Sequence, residues 1–90
     1  MKSLCWSHEK NELLKRQRNV SFEEVALRIE AGRVLDVREH PNREKYPNQR
    51  IFVLDLGDYV YLVPFVENDK EIFLKTIIPS RKAKRELEDG

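Results

Sequence analysis

RIFVLDLGDYVYLVPFVENDKEIFLKTIIP, residues 50–79, is the stretch that decides the fold. It holds three runs rich in β-branched and aromatic residues: RIFVLDL at 50–56, YVYLVPFVE at 59–67 and EIFLKTII at 71–78. Gly57-Asp58 separates the first two and Asn68-Asp69-Lys70 the last two. Such short polar breaks make tight turns, and strands joined by tight turns pair antiparallel. Pro64 falls inside the middle run and has no N–H to give a ladder, so a bulge or an unpaired edge is expected there.

Upstream, RVLDVRE (33–39) reads as another short strand. The segment between, HPNREKYPNQ (40–49), has two prolines, two asparagines and no periodicity, and reads as a loop. The sheet is therefore expected to be a four-stranded antiparallel meander. Two helices precede it. In VSFEEVALRIEAG (20–32), Ser21 and Glu24 form a capping box and Phe22, Val25, Ala26 and Ile29 recur at helical spacing. Val20 can staple onto Val25, and Gly32 supplies a left-handed stop. SHEKNELLKRQRN (7–19) is capped by Ser7 and has a thin apolar face of Trp6, Leu13 and Leu14. After the sheet, Pro79 ends the last strand and Ser80 caps RKAKRELED (81–89). The expected order is ααββββα, an α+β domain with helices covering one face or one end of the sheet.

At 90 residues the chain is expected to be a single domain with one modest core. Hydrophobic residues are 40% and charged residues 37%, and the apolar ones cluster, which points to a globular chain. The formal net charge is +1, so an argument for an anionic partner must rest on local clusters. The one cysteine, Cys5, has no internal partner, which fits a reducing cytoplasm. No apolar run approaches the ~20 residues of a membrane span, and MKSLCWSHEK at 1–10 has no signal-type apolar core. A cytoplasmic location, no membrane and no cofactor are expected. The two histidines, His8 and His40, are far apart and no metal spacing occurs, so no metal is expected either.

Three cationic clusters remain. Lys75, Arg81, Lys82, Lys84 and Arg85 have no acid between the first and the last. They surround a helix N-terminus, which attracts phosphate. Yet Arg81 and Lys82 in a first turn oppose the helix dipole, at about 0.3–1 kcal/mol each. Binding is one reason to tolerate that; a solvated basic helix is the alternative. The 40–49 loop and its neighbour carry His40, Arg43, Lys45, Tyr46 and Arg50. His40 brings an imidazole, the side-chain type suited to proton transfer, and Tyr46 can stack on an RNA base; alternatively, Pro41 and Pro47 merely stiffen a long connection. The first helix adds Lys10, Lys15, Arg16 and Arg18, an ordinary surface pattern.

Trp6-x-x-x-Lys10-Asn11, VSFEEV at 20–25, Gln49-Arg50 at a strand start and IIPSRKAKRE at 77–86 resemble the BrnT-like toxins, bacterial toxin–antitoxin ribonucleases with a RelE-like fold. The resemblance covers about Trp6 to Glu86. It implies a metal-independent endoribonuclease silenced by a cognate antitoxin encoded nearby, with Lys10, Arg50 and Arg81 at matching positions. The acidic pair common in the family before the Arg50 position is Asn48-Gln49 in this chain, and Ser7 stands where the family has an aspartate. Metal-free RNA cleavage uses the 2′-hydroxyl as nucleophile, so arginines must stabilise a dianionic transition state and other groups must move protons. Arg50 and Arg81 are the candidates for the first task and Lys10 for holding phosphate. His40 is the candidate acid or base, with Glu67 as an alternative. Lys75, Lys82, Lys84, Arg85, Arg43 and Tyr46 are expected to bind RNA. The competing reading is a non-catalytic RNA- or protein-binding module of the same fold, or an interaction protein that uses exposed strand edges.

Overall fold

The computed structural model describes residues 2–89. The meander is present, with strands close to those expected. β2 (Asp36–Glu39), β3 (Arg50–Leu56), β4 (Tyr59–Glu67) and β5 (Glu71–Leu74) pair antiparallel in succession. Gly57, at φ +66°, makes the turn between β3 and β4.

The sheet is larger than expected, and mixed. An N-terminal strand, β1 (Ser3–Trp6), lies parallel to β5, and a two-residue strand, β6 (Ile78–Pro79), pairs with β4. The order across the six-stranded sheet is β1-β5-β4-β3-β2, with β6 off this path against β4. The four-stranded ααββββα reading is corrected on both counts. SLCW at 3–6 has no β-branched residue and only four positions, so its strand character comes from pairing with β5. EIFLKTII is not one strand, because Lys75–Ile77 leave the sheet between β5 and β6.

Pro64 sits at that gap. Its carbonyl accepts from the Lys75 N–H at 2.8 Å. Backbone N and C=O of one strand residue point the same way, so the missing N–H of Pro64 faces the segment that has left the ladder. The Arg18 guanidinium donates to the Ile77 carbonyl at 2.6 Å and holds that segment against the first helix.

α1 (His8–Arg18) and α2 (Phe22–Glu30) cover one face of the sheet. Ser7 accepts from the Lys10 N–H and Ser21 from the Glu24 N–H, as N-caps should. Asn19, at φ 56°, ends α1, and Gly32, at φ +71°, follows α2. The Gly32 N–H bonds to Ile29 and the Arg33 N–H to Arg28, a Schellman closure. Leu14, Val20, Phe22 and Val25 pack on Phe52, Leu54, Val63, Phe65 and Leu74. Trp6 stacks on Phe22 with ring centroids 5.8 Å apart, and Phe52 on Phe65 at 4.0 Å. Burial of each such side chain contributes about 1.5–3 kcal/mol.

α3 (Arg81–Asp89) lies on the other face, with Ala83 against Val53 and Val60 and with Leu62 beside them. The helices therefore sandwich the sheet instead of covering one side. Ile51, Phe52, Val53 and Leu54 are all buried, and a strand apolar on both faces needs a layer on each. Among the described residues, no helix is long and apolar enough to cross a membrane.

Candidate nucleic-acid interface

The strongest cationic feature is the start of α3. The Ser80 N–H donates to the Val60 carbonyl at 2.9 Å, and Ser80 Oγ accepts from the Ala83 N–H at 3.1 Å. Pro79, paired with Tyr61, and the buried Ala83 bracket Arg81 and Lys82. Their backbone is thus held on both sides, at Pro79 and Ser80 before them and at Ala83 after, while their side chains are exposed. The first turn holds no acidic residue. Among the described side chains, Arg81 and Lys82 have no carboxylate at ion-pair distance. Lys84 reaches Glu88 at 3.9 Å and lies 5.3 Å above the Tyr59 ring. Lys75 lies 5.6 Å from the Phe73 ring, on the segment that leaves β5.

Beside the α3 start lies a cleft of 290 Å³ between the helix, β2 and the start of the 40–49 loop. Ile51, Leu62 and Ala83 form its apolar lining, and Arg38, Ser80 and Lys82 its donors. Sequence reasoning missed Arg38. Its Nε donates to Asp36 at 3.0 Å and its Nη2 to Glu86 at 3.2 Å. Asp36 is held below the ordinary carboxylate range by Arg38, with help from the Val37 N–H, and Arg38 is raised chiefly by Asp36. The signal was Asp36-x-Arg38 in a strand, where alternate residues share a face.

Arg50 occupies a different environment. It alternates with Phe52 and Leu54, so it belongs to the face covered by α1 and α2. Its guanidinium pairs with Glu67 and lies 5.3 Å from the Phe65 ring. Glu67 also accepts from Lys2 at 2.9 Å. Lys2, and after it Arg50, hold the Glu67 carboxyl below its ordinary value. A carboxylate so held is a weak proton acceptor at neutral pH. Arg50 and Arg81 thus lie on opposite faces of the sheet, and the sequence alone did not separate them. Lys10 is half-buried in the first turn of α1, without a carboxylate partner among the described residues.

In the 40–49 loop the His40 and Tyr46 rings meet at 4.4 Å, and Lys45 lies 5.4 Å from the Tyr46 ring. His40 Nδ1 accepts from the Asn42 N–H at 3.1 Å. With Nδ1 accepting, the neutral ring carries its proton on Nε2 and offers a donor there. Tyr46 is partly covered by these neighbours, while Arg43 is exposed. Pro41, next to His40, lines the same cleft as Ser80 and Lys82.

Three other groups are accounted for by structure. Trp6 is stacked in the core margin. Asn11, 1% exposed, bonds to α2. The Cys5 thiol meets Glu71 Oε2 at 2.9 Å, and that carboxylate raises its pKa. Among the described residues, no group of three or more His, Cys, Asp or Glu side chains is placed to hold a metal ion. No family model, curated protein or solved structure matches the chain.

Proposed function

We propose that this chain is the toxin of a bacterial type II toxin–antitoxin system, a RelE-like, metal-independent endoribonuclease that acts in the cytoplasm and is neutralised by a cognate antitoxin. The observation that carries the reading is the start of α3. Arg81 and Lys82 sit on a backbone fixed by Ser80 and Ala83, against the helix dipole and without carboxylate partners among the described residues. Stability alone gives no reason for that arrangement, whereas a polyphosphate ligand does.

In the reaction, the RNA 2′-hydroxyl gives its proton to water as its oxygen attacks the adjacent phosphorus, and the bond from phosphorus to the 5′-oxygen breaks. The products are a 2′,3′-cyclic phosphate and a free 5′-hydroxyl. Arg81 stabilises the charge that develops on the non-bridging oxygens. His40, next in chain to the cleft-lining Pro41, protonates the leaving 5′-oxygen in its imidazolium form. The placement of Pro41 beside Ser80 and Lys82 supports pairing His40 with Arg81 rather than with Arg50. Lys10 and Arg50 serve in this reading as secondary phosphate contacts, Arg50 once Glu67 releases it. Lys75, Lys84, Arg85, Arg43 and Tyr46 extend the RNA path, and the antitoxin covers the same cationic surface.

One observation favours a second reading, a non-catalytic RNA- or protein-binding module. The Arg50–Glu67–Lys2 cluster neutralises one family-matched cation and occupies the only other acid–base candidate. Single-turnover incubation of the purified chain with a short labelled RNA separates the two. The toxin reading expects cyclic-phosphate product, with or without EDTA. Stoichiometric binding with the RNA left intact would establish the module instead, and protection by EDTA reversed by one divalent ion would refute metal independence.

A further inference from the structure

The cleft under α3 combines two kinds of surface that a bare phosphate site does not need. Its inner wall is aliphatic, made by Ile51, Leu62 and Ala83. Its rim carries hydrogen-bond donors with capacity left over, beside two acidic residues, Glu39 and Glu86. Arg38 uses Nε on Asp36 and Nη2 on Glu86, which leaves Nη1 unassigned. Lys82 has no carboxylate partner among the described residues. Ser80 Oγ accepts from the Ala83 N–H, so its own hydroxyl proton remains free to be donated.

We propose that this cleft is a nucleotide subsite. The aliphatic wall takes the face of one unstacked base, and Arg38 Nη1, Lys82 Nζ and the Ser80 hydroxyl hold the phosphate attached to it. The volume of 290 Å³ is on the scale of one small ligand, at the lower end of such sites. Single-stranded RNA is read in this way, by splayed bases held on side-chain surfaces with their edges hydrogen-bonded.

Glu86 gives the subsite a preference. Its Oε2 is taken by Arg38, while Oε1 has no donor among the described residues. A carboxylate oxygen at the rim accepts from an exocyclic amino group, which cytosine, adenine and guanine have and uracil lacks. Arg38 is then a positioning residue with two tasks: it tethers Glu86 to β2 and offers Nη1 to the phosphate.

The inference rests on the RNA reading above and deepens it. The test is a ¹⁵N amide titration of the full chain with 2′-O-methyl tetracytidylate and tetrauridylate, which cannot be cleaved. Cytidylate is expected to shift the amides of Arg38, Ile51, Leu62, Ala83 and Glu86, and to bind several-fold more tightly than uridylate. Lys82→Glu should weaken cytidylate binding about tenfold with an unchanged melt, since the side chain is exposed. Glu86→Gln should narrow the difference between the two probes. Shifts confined to the Arg50 face or to the 40–49 loop would overturn the subsite, as would wild-type affinity in Lys82→Glu or equal binding of the two probes. The two proposals fail separately. Cleavage of RNA without movement of the cleft amides removes the subsite and leaves the nuclease. Cleft shifts without cleavage leave the subsite on a non-catalytic module.

Discussion

Asn11 Oδ1 accepts a hydrogen bond from the Phe22 N–H at 2.8 Å, and Asn11 Nδ2 donates to Glu23 Oε1 at 2.8 Å. One buried amide of α1 thereby satisfies an orphan donor at the start of α2 and fixes how the two helices meet. Phe22, the residue so held, also stacks on Trp6.

Asn11→Ala leaves the Phe22 N–H without its partner, at about 1–3 kcal/mol. Urea unfolding should show a lower midpoint with an unchanged slope. A shift of less than ~0.5 kcal/mol would mean that water replaces the amide.

Arg81→Ala should slow RNA cleavage by about 10²-fold, and Arg81→Lys should restore part of it, because lysine lacks the planar fork. Melting should barely move, since exposed substitutions usually stay within about 0.5 kcal/mol. Wild-type cleavage by Arg81→Ala would move the catalytic assignment to Arg50. A joint fall in melting and activity would make Arg81 structural.

Salt should weaken RNA binding steeply through counterion release, and Lys82→Ala or Lys84→Ala should each reduce the slope of log K against log salt by about one. Unchanged slopes would return the basic helix to a solvated surface.

Glu67, Glu23 and Asp36 all have carboxyl pKa values lowered in the fold. Their causes are Lys2 and Arg50 for Glu67, chiefly Asn11 for Glu23, and chiefly Arg38 for Asp36. A depressed folded value means that the unfolded chain binds protons first as acid is added. Their stabilisation is therefore present above the unfolded values, about 3.9–4.3, and lost as pH falls through the folded ones. All three groups are largely solvated, so the effect is modest and screened by salt. Melting temperatures measured from neutral pH downward should fall in that window, and Glu67→Gln should flatten the fall. A Glu67→Gln curve parallel to wild type would remove Glu67 from the account.

The Cys5 thiol should react slowly with a disulfide reagent at mildly alkaline pH, because the Glu71 carboxylate disfavours the thiolate. Glu71→Gln should accelerate the reaction. An unchanged rate would mean that access, not charge, governs it.

Much of this was legible in the chain. Gly57-Asp58 and the flanking alternation placed β3 and β4, and Ser21, Glu24 and Gly32 bounded α2, because each signal is local and chemical. β1 was not legible, since its four residues become a strand only beside β5. The Arg50–Glu67 pair also escaped, as the register that joins residues 17 apart is a property of the whole hairpin. Arg38 stands between two acids in DVRE and drew no notice in the sequence, because its tie to Glu86 exists only once α3 lies over β2. The α3 cations were visible as composition, but the cleft beside them depends on which side of the sheet the helix takes.

That choice of side reduces to a count of one. Leu74 stands opposite Phe65 and Ile78 opposite Leu62, so Lys75, Thr76 and Ile77 span the distance covered on β4 by Val63 and Pro64 alone. An unbroken strand would have set Thr76 across from Val63 and turned it into the core. The extra residue advances the chain by one step, so fully buried Ile77 fills that place and every later side chain changes sides. Ser80 then meets Val60, and α3 begins on the face where Ala83 finds Val53. Deleting Thr76 would restore even parity and point Arg81 and Lys82 away from the cleft. The phase of a single bulge, which proline stabilises by having no hydrogen to contribute, thus sets the address of the cationic surface.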